Sequence, residues 1–80
     1  MDTSTAVRQR ILDLCRQRGI TVNRLATISG VTQSTVNNIV SGRNHSATVA
    51  TIKKLCDGLD ITLRDFFDAA VFEELEQEIK

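Results

Sequence analysis

The sequence predicts an all-α fold of five helices, and three observations carry that prediction. Apolar residues recur at helical spacing in five successive segments. No run alternates with the two-residue period of a strand, and the breaks fall at glycines and at helix-capping residues. Eighty residues make one small domain, and 41% apolar content is too high for a disordered chain.

In the first segment Val7, Ile11, Leu14 and Cys15 line one face of an amphipathic helix. Gly19 ends it where a left-handed cap is favoured, after Arg16 and Arg18 in the last turn. Thr21 caps a short second helix whose inward residues are expected to be Leu25, Ala26 and Ile28, and Gly30 stops it. Thr32 stands at the N-cap of a third helix, which buries Val36, Ile39 and Val40 and ends at Gly42. A loop with Arg43, Asn44 and His45 leads to a fourth helix capped by Thr48. Its inward residues are expected to be Val49, Ile52, Leu55, Cys56 and Leu59.

Thr62 and Asp65 resemble a capping box, with Asp in place of the usual Glu or Gln. They open a short fifth helix containing Leu63, Phe66 and Phe67. Beyond it Phe72, Leu75 and Ile79 share a helical stripe between Glu73, Glu74, Glu76 and Glu78. A last amphipathic helix or an ordered tail is expected there. The division is a body over residues 1–68 and an acidic C-terminal extension over 69–80.

The formal net charge is zero, which by itself argues against a nucleic-acid partner. Position reverses that inference. Residues 1–56 carry eight cations and two acids, a balance of +6, and residues 57–80 carry the opposite balance of −6. Such asymmetry marks a nucleic-acid-binding body with an acidic appendage, or merely solvated helix faces that segregate by sign.

With no Trp, no Tyr and three Phe, no stacking platform for single strands is expected. No apolar run is long enough to span a membrane and no signal segment opens the chain, so a soluble, cytoplasmic protein is expected. Cys15 and Cys56 lack zinc spacing and read as small buried hydrophobes. His45 is the sole histidine, and neither a phosphate-cradling glycine loop nor a nucleophile elbow occurs. No metal, no cofactor and no enzymatic activity are expected.

The stretch from Leu25 to Ile39 has a pattern with a physical reason at each constrained position. Ala26 is small where the third helix crosses the second. Gly30 supplies the positive φ of a sharp turn. Leu25, Val31, Val36 and Ile39 form the apolar seam between the two helices. This is a helix-turn-helix, whose second helix enters the DNA major groove. The exposed side of that helix carries Gln33, Ser34, Thr35, Asn37 and Asn38. Gln and Asn amides match the major-groove edge of adenine, and Ser or Thr can serve either type of edge. The bland reading is that these are ordinary solvent-facing residues.

Over roughly residues 5–68 the chain resembles the phage-repressor/Cro (XRE-like) helix-turn-helix domain, a lambda-repressor-like five-helix fold. Besides the motif, the resemblance covers Ile39-Val40-Ser41-Gly42-Arg43, the helix-four segment from Thr48 to Cys56, and Gly58-Leu59-Asp60-Ile61-Thr62. It implies that Gln33, Ser34 and Asn38 face bases, with Thr35 and Asn37 at bases or the adjoining backbone. The phosphate-positioning set would be Asn23, Arg24, Thr32, Arg43, Asn44, His45, Thr48 and Lys53, with helix amides at Thr32 and Thr48.

Two positions depart from the family pattern. Val22 stands where Gln often holds a phosphate, and Ala47 where Pro often precedes helix four. The expected function is a sequence-specific, double-stranded DNA-binding transcriptional regulator of bacterial or phage type, a repressor acting as a homodimer on a near-palindromic operator. The acidic extension is expected to complete the core, form the dimer contact, compete with DNA or hold a protein partner. The alternative is an antitoxin-like or adaptor module for protein interaction, with DNA binding secondary or lost.

Overall fold

A computed structural model describes residues 1–79. The helices are α1 (Thr3–Arg18), α2 (Val22–Ser29), α3 (Gln33–Val40), α4 (Val49–Gly58) and α5 (Leu63–Phe67), followed by a 3-10 helix over Ala70–Glu74. No strand occurs among the described residues.

Each boundary has a local cause. Thr21, Thr32, Thr48 and Thr62 all take extended backbone angles, and each side chain accepts from the backbone N–H three residues on. A threonine cap of this kind contributes about 1 kcal/mol. Asp65 returns the bond at α5, accepting from the Thr62 N–H at 3.2 Å, so the capping box forms with Asp in the Glu position. Asp2, an N-cap residue type that the reading of the sequence passed over, caps α1 by accepting from the Thr5 N–H at 2.8 Å.

The core gathers one face from every helix. Ile11, Leu25, Val36, Leu55, Cys56 and Phe66 are fully buried, and Val31, Ile61, Leu63 and Phe72 pack against them. Phe66 meets Phe67 edge-on with ring centres 4.9 Å apart, and Phe72 tilts against Phe67 at 5.0 Å. Arg10 ties α1 to the end of α5: its Nε donates to the Phe66 carbonyl and its Nη2 to the Asp65 carbonyl, both at 2.7 Å. The Asp65 carbonyl also accepts from the Asp68 N–H at 3.3 Å, whereas at the end of so short a helix the Phe66 carbonyl takes its bond from the guanidinium. Both cysteines are free and buried, and burial pushes their thiols up from the ordinary value of 9.0.

Three expectations are corrected. Ile28 is 39% exposed. Leu25 and Ala26 set the inward direction of α2, and Ile28 projects well to one side of that stripe. Val49 is 65% exposed, because it stands in the first turn of α4. The close contact with α2 comes at the other end, where Gly58 meets Ser29.

The third correction concerns the C-terminal stripe. Phe72 reaches the core, but regular structure stops at Glu74, leaving Leu75 37% and Ile79 81% exposed. Instead of a helix, the chain runs beside the start of α1. The Glu76 N–H donates to the Met1 carbonyl at 2.9 Å, and the Thr3 hydroxyl donates to Glu78 Oε1 at 3.0 Å.

Candidate nucleic-acid interface

The positioning of α3 begins at the turn before it. Gly30 adopts φ 68°, a left-handed conformation that costs glycine little, and its N–H closes α2 onto the Thr27 and Ala26 carbonyls. Three residues then suffice to redirect the chain into α3. Val36 and Ile39 point into the core against Leu25, and the opposite side of α3 is left outward.

On that side Gln33, Ser34 and Asn37 are exposed, and Thr35 and Asn38 are half-buried. Their hydrogen bonding separates them. The Asn37 amide donates to Asn23 Oδ1 and to the Gln33 carbonyl, both at 2.9 Å. Asn23 lies at the start of α2, so a polar bridge joins the two helices on their outer surface. Thr35 Oγ1 lies 2.7 Å from the hydroxyl of the Thr32 cap, and Ser34 approaches the same hydroxyl at 3.4 Å. Among the described residues the side-chain amides of Gln33 and Asn38 have no protein partner. They keep a paired donor and acceptor for a ligand.

The loop after α3 is pinned to it. The Asn44 N–H donates to the Asn38 carbonyl at 3.0 Å, and Asn44 Oδ1 accepts from the Ser46 N–H at 2.9 Å. This holds Arg43, Asn44 and His45, all exposed, in a short connection between α3 and the start of α4. Arg24 is exposed on α2. At the start of α4 Thr48 caps the helix, its oxygen accepting from the Thr51 N–H at 3.1 Å. Lys53 forms an ion pair with Asp57 one turn further along α4. Exposed pairs of this spacing contribute only a few tenths of a kcal/mol, so the ammonium remains exchangeable. Val22, in the place of the family's Gln, packs its side chain against the core.

The structure therefore brings the predicted polar residues onto α3, the start of α2 and the α3–α4 connection. The Asn23–Asn37 bridge was missed at the sequence level. The signal was present, since two asparagines outside the apolar stripes sit on helices that a three-residue turn brings together.

The family profile of the Cro/C1-type HTH DNA-binding domain matches residues 10–70, three quarters of the chain. The chain belongs to the Cro/C1-type helix-turn-helix family. Relatives of this Cro/C1-type domain come from Bacillus subtilis (strain 168). An uncharacterized HTH-type transcriptional regulator, RghRB, is 37% identical over 62 residues, covering 78% of this chain and 45% of that protein. The HTH-type transcriptional repressor RghR is 34% identical over 70 residues, covering 86% of this chain and 52% of its own length. The chain thus spans about half the length of these curated relatives. Among solved structures, that of the prophage Lp1 protein 11 superposes with a TM-score of 0.80 at 39% identity. The match covers 94% of this chain and 100% of that one. The Cro/C1-type domain accounts for the five helices and the motif together. No helix among the described residues is long and apolar enough to cross a membrane.

Proposed function

We propose that this Cro/C1-type domain binds double-stranded DNA sequence-specifically and regulates transcription, acting as a repressor. The α3 side chains Gln33, Ser34 and Asn38 read base edges in the major groove, and Thr35 and Asn37 contact bases or the adjoining backbone. Asn23, Arg24, Thr32, Arg43, Asn44, His45, Thr48 and Lys53 position the phosphates. The protein acts as a homodimer, because one short helix reads few base pairs and two half-sites a helical turn apart double the reading. Repression as the direction is supported by the name of the relative RghR.

One observation carries this reading. The amides of Gln33 and Asn38 stand on the outer side of a helix fixed by a sharp turn and have no protein partner among the described residues. Amides so placed can form the paired bonds that distinguish adenine from the other bases.

The test is retention of mixed genomic fragments at two salt concentrations. The reading requires a selected subset of fragments and affinity that falls steeply with salt as counterions are released. Failure to retain any fragment at low salt contradicts it and favours the protein-interaction module instead.

A further inference from the structure

Of the basic residues in the first three quarters of the chain, several already have partners. Arg10 is bound to the Asp65 and Phe66 carbonyls, Arg16 pairs with Asp13 at 2.8 Å, and Lys53 pairs with Asp57. Arg8 has no hydrogen-bond or ion-pair partner among the described residues and is half-buried. It lies in the first half of α1, outside the helix-turn-helix, and no role has been given to it so far.

Its neighbours give it one. Arg8 lines a cleft whose α1 wall includes Ser4 and whose opposite wall is Gly42, Asn44 and His45. That opposite wall is the α3–α4 connection, pinned by Asn44 to the Asn38 carbonyl. A guanidinium without a counter-ion therefore sits across a narrow cleft from the residues proposed to hold the DNA backbone. Within the cleft no acid is available to neutralise it, since its lining is cationic, neutral polar and apolar. Partial burial removes some of the competing water and keeps the side chain from ranging freely, which favours a charge-assisted bond to an arriving anion.

We infer that Arg8 is a phosphate-contacting residue, extending the DNA-binding surface from the helix-turn-helix onto α1. The backbone phosphate held by the Arg43–His45 connection is shared with the Arg8 guanidinium across the cleft. The contact carries no base information, so it acts on all duplexes alike. This assignment rests on the DNA-binding reading above.

The experiment uses the full chain and a mixed-sequence DNA duplex, with affinity followed across a salt series. Arg8→Gln should weaken binding about three- to tenfold at 0.1 M salt. It should also make the plot of log K against log salt shallower by about 0.9, one phosphate contact. Arg8→Lys should keep the native slope, and Arg18→Gln, at the far end of α1, should change nothing. Melting temperatures of all three variants should match the native chain. A native salt slope in Arg8→Gln overturns the assignment, whether affinity is unchanged or falls together with melting temperature. If the native chain binds no duplex at low salt, the DNA-binding reading itself fails and takes this assignment with it.

Discussion

Gly58 shows how a single residue can be fixed by a partner that lies far away in the sequence. A Cβ added there would stand 2.1 Å from Ser29 Oγ and 3.0 Å from Ser29 Cα. The hydroxyl can rotate away, but the Cα is backbone and must move with α2. Alanine at a helical position contributes up to about 1 kcal/mol over glycine by propensity, and overpacking costs typically about 1–3 kcal/mol. Gly58→Ala is therefore expected to lower stability by about 1–2 kcal/mol in urea unfolding. A rise in the unfolding midpoint would show that the α2–α4 contact is looser than described.

The same residue marks the limit of what the sequence alone discloses. Gly30 was legible, because its requirement is set by neighbours in the chain. Gly58 read only as part of a helix-five link, and Arg10 only as one more cation. Their constraints come from Ser29 and from the end of α5, which only the tertiary fold brings within reach. At the site, residue types and order were legible on α3. The hydrogen bonds that hold Asn37 and leave Gln33 without a partner were not.

At the level of elements, the four threonine caps were readable because the accepting side chain and the donating N–H lie three residues apart. The inward assignment of Ile28 failed because it stands to one side of the Leu25–Ala26 stripe, and that of Val49 because periodicity does not tell how far a neighbouring helix extends over the first turn. Thr32 matters most, since it fixes the entry of α3. Thr32→Ala should destabilise the fold by about 1 kcal/mol, read by thermal unfolding, and should weaken DNA binding beyond that loss. An unchanged affinity would show that α3 keeps its place without the cap.

The α1 cap makes a pH-dependent prediction. Hydrogen bonds from Thr5 hold the Asp2 carboxyl below its ordinary value of 3.8. A depressed carboxylate stabilises the fold above that ordinary value, and the contribution is lost as pH falls through the lower folded-state value. The melting difference between the native chain and Asp2→Ala should be full above 3.8 and should close below it. A difference that persists at lower pH would mean that the ionised carboxylate is not the source.

At the scale of the whole molecule, zero net charge conceals a basic body and an acidic end. Of the two forms its spacing left open, an amphipathic helix or an ordered tail, the helix does not occur. Phe72 joins the core, while Glu76 and Glu78 bond to Met1 and Thr3 beside the start of α1. In place of the helical stripe, Ile79 is left largely exposed and the Glu76 N–H bonds to the Met1 carbonyl. Near-neutrality overall predicts modest attraction for arbitrary DNA, which leaves discrimination to uncharged side chains.

That division between uncharged readout and charged positioning is the central claim. Its most direct measurement compares Gln33→Ala with Arg43→Ala on a selected site and on single-base variants of that site. Gln33→Ala should lose about 1–3 kcal/mol and relax preference at one base position, and Arg43→Ala should weaken every sequence alike with a shallower salt slope. Equal, sequence-blind losses from both substitutions would contradict it.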